Sequence, residues 1–106
     1  MSGRRPRRLA GRIVLATPSR LVVEFDIGAT ALAWLPGAAV MLGLQAPHGV
    51  FEARTLTEES TAPGRIAPGR TVRLVLQLDH APPAPIESVT IVLDGGRLLI
   101  VAIEAA

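Results

Sequence analysis

The chain has 106 residues, of which 49% are apolar and 19% charged, with a formal charge of +2. That length suits one domain, and the absence of cysteine excludes disulfides and thiolate metal sites. All eleven basic residues are arginine. Beside so much Ala, Gly and Pro, this points to the codon bias of a GC-rich genome; the alternative is selection for forked guanidinium contacts.

The chain opens on a basic arm, residues 1–12, holding Arg4, Arg5, Arg7, Arg8 and Arg12. From residue 13 onward six arginines face nine acids, so residues 13–106 read as one neutral-to-acidic domain. Arg4, Arg8 and Arg12 are spaced by four, and Pro6 discourages a helix. Such a cluster can grip phosphates bidentately; the common alternative is a solvated tail.

Past the arm, period-two alternation dominates. In "RLVVEFD", Leu21, Val23 and Phe25 share one face, and Arg20, Glu24 and Asp26 the other. Val40, Leu42 and Leu44 alternate in the same way, as do Val72, Leu74, Leu76 and Leu78. Asp94-Gly95-Gly96 between two apolar runs is a hairpin signal. Both of those runs are nearly apolar on both faces, which places them centrally or against a partner. Pro and Gly breakers divide the chain into strands expected near residues 9–16, 20–26, 30–35, 38–45, 49–57, 70–79, 86–93 and 97–104. Residues 58–69 read as the longest loop, with room for a helical turn at 58–61.

No Asp, Glu, Lys or Arg occurs between Asp26 and Glu52, a stretch long enough to span a bilayer. Pro36-Gly37 interrupts it, however, and its second half recurs downstream with charges. "PGAAVMLGLQAPH" (36–48) and "PGRTVRLVLQLDH" (68–80) match at Pro, Gly, Val, Leu, Leu, Gln and His. A second match, offset by 35, pairs Glu52 with Glu87 and Thr55 with Thr90. The reading is therefore an all-β protein: a small six- to eight-stranded β-barrel or sandwich built from two duplicated hairpin units, with no membrane span. Arg12 and Arg20 interrupt any signal-peptide core, so a cytoplasmic location is expected.

Catalytic chemistry finds no support. The two histidines, His48 and His80, occupy matched turn positions, and no ligand-spaced cluster or nucleophile elbow is present. No catalytic residue, metal or cofactor is assigned. Trp34, Phe25 and Phe51 are the only aromatic residues, which gives nucleic acid no stacking platform.

The arm and the "FDIGATAL" stretch together resemble the PilZ domain, a small β-barrel that binds cyclic di-GMP. That family carries an Arg-x-x-x-Arg arm before its first strand and an Asp/Asn-x-Ser-x-x-Gly turn further on. Arg4 and Arg8 match the arm, Asp26 the acidic position and Leu32 the apolar residue that follows the turn. Gly28 stands where the serine belongs and Ala31 where the glycine belongs. The missing serine removes one polar contact of about 1 kcal/mol. The resemblance implies a non-catalytic regulatory module that binds a cyclic dinucleotide, or a protein partner where that site has decayed. Arg4, Arg5, Arg8, Asp26 and Gly28 are its candidate ligand-binding residues. The alternative is a structural or assembly protein, of a virion or secretion machine, whose arm and apolar strands contact neighbouring copies. Nucleic-acid binding through the arm ranks third.

Overall fold

A computed structural model describes residues 6–104. Nine strands form: β1 (Arg7–Ala16), β2 (Arg20–Asp26), β3 (Leu32–Trp34), β4 (Pro36–Leu44), β5 (Val50–Thr55), β6 (Gly64–Ile66), β7 (Thr71–Gln77), β8 (Ile86–Leu93) and β9 (Leu98–Ile103). Seven of them close a barrel in the order β1-β2-β7-β5-β4-β8-β9, and β3 pairs with β6 as a separate ribbon. Closure is made by a parallel ladder between β1 and β9, from Arg7–Leu99 to Gly11–Ile103. It pairs β1 with β9, the two edges that an open sheet would leave exposed to aggregation.

The alternating residues fill the interior. Leu21, Val23, Phe25, Val40, Leu42, Leu44, Val72, Leu74 and Leu76 are all buried, and Val89, Ile91, Leu99 and Val101 join them. A barrel of this size has space only for side chains. Its end is closed by Trp34, which the β3–β6 ribbon carries inward; the indole meets the Phe25 ring edge-on, with centroids 5.8 Å apart. Trp34 Nε1 donates to the Thr61 carbonyl at 2.9 Å, so the buried ring has its polar partner.

The hairpin at Asp94–Gly96 forms as the sequence indicates, with Gly95 and Gly96 both at positive φ. The duplicated unit is realised only in part. Residues 38–55 make an antiparallel hairpin of β4 and β5. The matching β7 and β8 do not pair with each other; β7 lies beside β5 and β8 beside β4. The two copies share an inward pattern but differ in partners. The Pro-Gly steps differ too: Pro36-Gly37 belongs to a strand, whereas Gly69 turns the chain at φ +80.

Residues 58–69 hold β6 as well as a loop. The expected helical turn is a single one, where the Leu56 carbonyl accepts from the Glu59 and Ser60 amides. From there the chain runs along β7, with Val75 N donating to Ser60 Oγ and Arg73 N to Thr61 Oγ1. It thus occupies the β7 edge left free where β5 makes only two pairs. The uncharged stretch is divided among a loop, β3 and β4, and no helix among the described residues is long and apolar enough to cross a membrane.

One interior polar atom lacks a partner. Thr55 Oγ1 is buried among the described residues with no hydrogen bond. An unsatisfied hydroxyl costs about 1–3 kcal/mol. Thr55→Val, which exchanges the hydroxyl for a methyl, is therefore expected to raise the melting temperature by several degrees. A fall in a thermal melt followed by circular dichroism would show that the hydroxyl has a role in the fold.

Candidate functional site

One end of the barrel gathers the start of β1, the end of β2, the loop at residues 27–31, the start of β7 and the β8–β9 tip. Strand alternation decides what the basic segment does here. Leu9, Gly11 and Ile13 point inward along β1, so Arg7 does as well, while Arg8, Ala10 and Arg12 point outward. Arg7 reaches under the loop and donates to the carbonyls of Ile27 (2.5 Å), Thr30 (2.6 Å) and Ala31 (2.9 Å). A guanidinium has five N–H donors in a fixed fork, which suits it to fasten three carbonyls of one turn. The loop is also held on its other side, where Gly69 N donates to Gly28 O at 2.8 Å.

Between the fastened loop and the hairpin tip lies a groove of about 440 Å³, lined by Arg7, Ala31, Leu32, Ala33, Leu93, Gly96, Arg97 and Leu98. Its lining includes two guanidinium groups and no carboxylate. Arg97 is exposed and makes no hydrogen bond through its side chain among the described residues. The floor is apolar. Such a groove can seat a flat ring on Leu32, Leu93 and Leu98 with an anionic group against Arg97, and its size falls within the range of small-molecule sites.

The residues selected from sequence are distributed unevenly about this groove. Arg4 and Arg5 lie outside the described residues. Arg8 is exposed on the outer face of β1, in register with Ile100. Asp26 ends β2 with its carboxylate accepting from Thr71 Oγ1 at 2.5 Å. Gly28 turns the loop at φ +74, with open space where a side chain would stand. All three described residues sit at the same end of the barrel, and none lines the groove. Arg7 and Arg97, which do, were not singled out. The inward phase of β1 was a signal for Arg7; Arg97 had none, because only the closed barrel brings it opposite β3.

Elsewhere the charges hold strands together. Arg12, Glu24 and Arg73 form one row across β1, β2 and β7, with Glu24 accepting from Arg12 at 3.2 Å and from Arg73 at 2.9 Å. Exposed pairs of this kind contribute about 0–1 kcal/mol each. His80 stands edge-on to Phe51 with centroids 4.9 Å apart, and His48 closes a turn through its amide to Gln45 O. No cluster of three metal-ligating side chains occurs among the described residues. No protein family, curated protein or solved structure matches the chain.

Proposed function

We propose that the chain is a non-catalytic, PilZ-like regulatory barrel, and that the groove between the 27–33 segment and the β8–β9 tip is where it takes a cyclic dinucleotide. The observation that carries this reading is the Arg7 fastening. It ties the basic segment to the loop beside a groove whose lining is cationic and apolar. A purine ring has the shape for the leucine floor, and a phosphodiester has the charge for Arg97. The arm residues Arg4 and Arg5, together with Arg8, would add phosphate contacts from outside the groove.

Calorimetry with cyclic di-GMP tests the reading. The intact protein is expected to bind, with affinity falling as salt rises, though less steeply than for a long nucleic acid. Arg97→Ala is expected to weaken binding roughly ten- to a hundred-fold, the loss of one charge-assisted contact. The double variant Arg4→Ala/Arg8→Ala is expected to weaken it further. Absence of heat from the intact protein removes the ligand reading. Equal binding by intact protein and Arg97→Ala moves the ligand out of this groove.

A second reading, a structural or assembly protein, draws on a different observation. Val92 and Leu98 are 45% and 40% exposed, and they lie side by side on the outer face of β8 and β9.

A further inference from the structure

Strand β3 has one edge on β6 and the other on the groove. Successive residues of a strand turn their N–H and C=O groups to opposite edges. Leu35 O accepts from Asp94 N at 2.9 Å, so Leu35 turns toward the β8–β9 tip. Ala31 O is held by Arg7, which lines the groove on that same side. Ala33 lies between these two and directs its N–H and C=O the same way. Leu32 and Trp34 turn the other way, toward Ile66 and Gly64, which leaves Ala33–Arg65 as the non-hydrogen-bonded pair of the ladder. Ala33 is half-buried, and among the described residues neither its N–H nor its C=O has a hydrogen-bond partner.

This open stretch of edge is one residue long. Strand β8 follows β4 as far as Leu93, opposite Pro36, and the chain then turns away through Asp94–Gly96. Past that turn nothing lies beside β3 until Arg7 closes the edge at Ala31. The groove of about 440 Å³ fills the gap, and Ala33, Arg97 and Leu98 all line it. Gly96 borders it with open space where a side chain would stand. With the edge shut at Ala31 and at Leu35, a strand cannot run through the gap. The end of a chain can enter it over Gly96.

We infer that the groove receives the C-terminal tail of a partner protein, ending in an apolar residue. The residue before the last exchanges two hydrogen bonds with Ala33, as extended peptides do when they join an open sheet edge. The terminal side chain rests on Leu93 and Leu98, and the terminal carboxylate meets the Arg97 guanidinium. Charge selects this end of a chain over the other. The lining holds Arg7 and Arg97 and no carboxylate, so it attracts a carboxylate and repels an α-ammonium group. Arg7 makes the Ala31 end of the gap the cationic one. The tail therefore points its carboxylate toward Ala31, runs antiparallel to β3 and leaves over Gly96.

The tail and a dinucleotide would exclude each other from the groove, but the inference does not rest on nucleotide binding. The tail uses the Ala33 backbone as well as Arg97, whereas the dinucleotide reading uses Arg97 and the leucine floor. The titrations that test the tail contain no nucleotide, so either reading can fail alone.

The experiment is an NMR titration of the intact chain with the peptide acetyl-Ser-Thr-Val-Val, once with a free C-terminal carboxylate and once as the C-terminal amide. The acid is expected to shift the Ala33 amide and the Arg97 Nε–H most. The amide is expected to bind at least about tenfold more weakly, because it lacks the charge-assisted contact. Arg97→Gln should lose a similar factor for the acid and almost nothing for the amide. Ala33→Pro removes the free N–H alone. Proline is tolerated where a strand's N–H faces away from its neighbour, so this variant should melt within a few degrees of the parent while binding the acid at least about tenfold more weakly. Amide exchange in the free parent checks the edge without any substitution: Ala33 should exchange faster than Leu32 and Trp34. Absence of shifts up to about 5 mM acid, a concentration well above the Kd of even a weak complex, overturns the inference. Equal binding of acid and amide does so as well, since the carboxylate then has no role. Undiminished binding by Ala33→Pro, or an Ala33 amide as protected as those of Leu32 and Trp34, shows that the edge is not the site. If Ala33→Pro fails to fold, its N–H has a partner within the chain and the inference falls.

Discussion

Val101→Glu is expected to abolish the folded state. Val101 has no solvent exposure and lies in the interior between Leu9 of β1 and Val89 of β8. A side chain built on Gly11 would begin 2.5 Å from its Cγ1, so this layer has no slack. A carboxylate there finds no cation, since Thr55 is the one polar residue buried in the described chain. Burying an unpaired charge costs several kcal/mol, and fitting glutamate into valine's space adds about 1–3 kcal/mol. The sum rivals the 5–15 kcal/mol that holds a typical domain together. Trp34, the only tryptophan, provides the readout: its fluorescence should report a solvated ring in the variant and a buried one in the parent. Leu98→Glu, three residues away on the outer face, should keep the buried spectrum. A native spectrum and melt for Val101→Glu would mean that β9 presents its other face to the core.

The contrast between residues 98 and 101 also shows what local sequence can convey. Alternation placed Leu21, Val23 and Phe25 inward because a strand's side chains alternate by geometry alone, whatever its neighbours. The same rule could not rank Val22 and Val75. They pair across β2 and β7 on the outer face and are nonetheless buried. For β8 and β9, apolar on both faces, it left open whether a central place or a partner explains the pattern. The barrel explains the inner half, Val89, Ile91, Leu99 and Val101; Val92 and Leu98 are left exposed.

Strand β6 was read as loop because three residues between prolines carry no period. It is a strand through its pairing with β3. The parallel closure of β1 on β9 joins the two ends of the chain, and no nearby residue signals it. Likewise the groove draws on residues 7, 31–33 and 93–98, so no contiguous motif could have marked it. Its one legible element was the inward phase of Arg7, which the charge of the run obscured.

Trp34→Ala is expected to produce the largest loss among substitutions that still fold. The ring is fully buried, packs edge-on against Phe25 and donates to Thr61 O. Removing it costs about 3–5 kcal/mol through lost transfer energy and the cavity that remains. In a domain of this size that corresponds to a fall in melting temperature of more than about 12 °C. Trp34→Phe separates two contributions. It keeps most of the apolar volume but leaves the Thr61 carbonyl without its donor, for a smaller cost of about 1–3 kcal/mol. The loss should also be local before it is global. Thr61 is bonded to Arg73 through both its amide and its hydroxyl, so a loosened Thr61 exposes the β7 edge from Arg73 to Val75. Amide exchange at Arg73 and Val75 should accelerate in Trp34→Phe before exchange at Val23 or Leu74, which the β2–β7 ladder protects. A Trp34→Ala melt within a few degrees of the parent would mean that the β3–β6 ribbon does not seal the barrel. In that case the groove beside it would have no fixed wall.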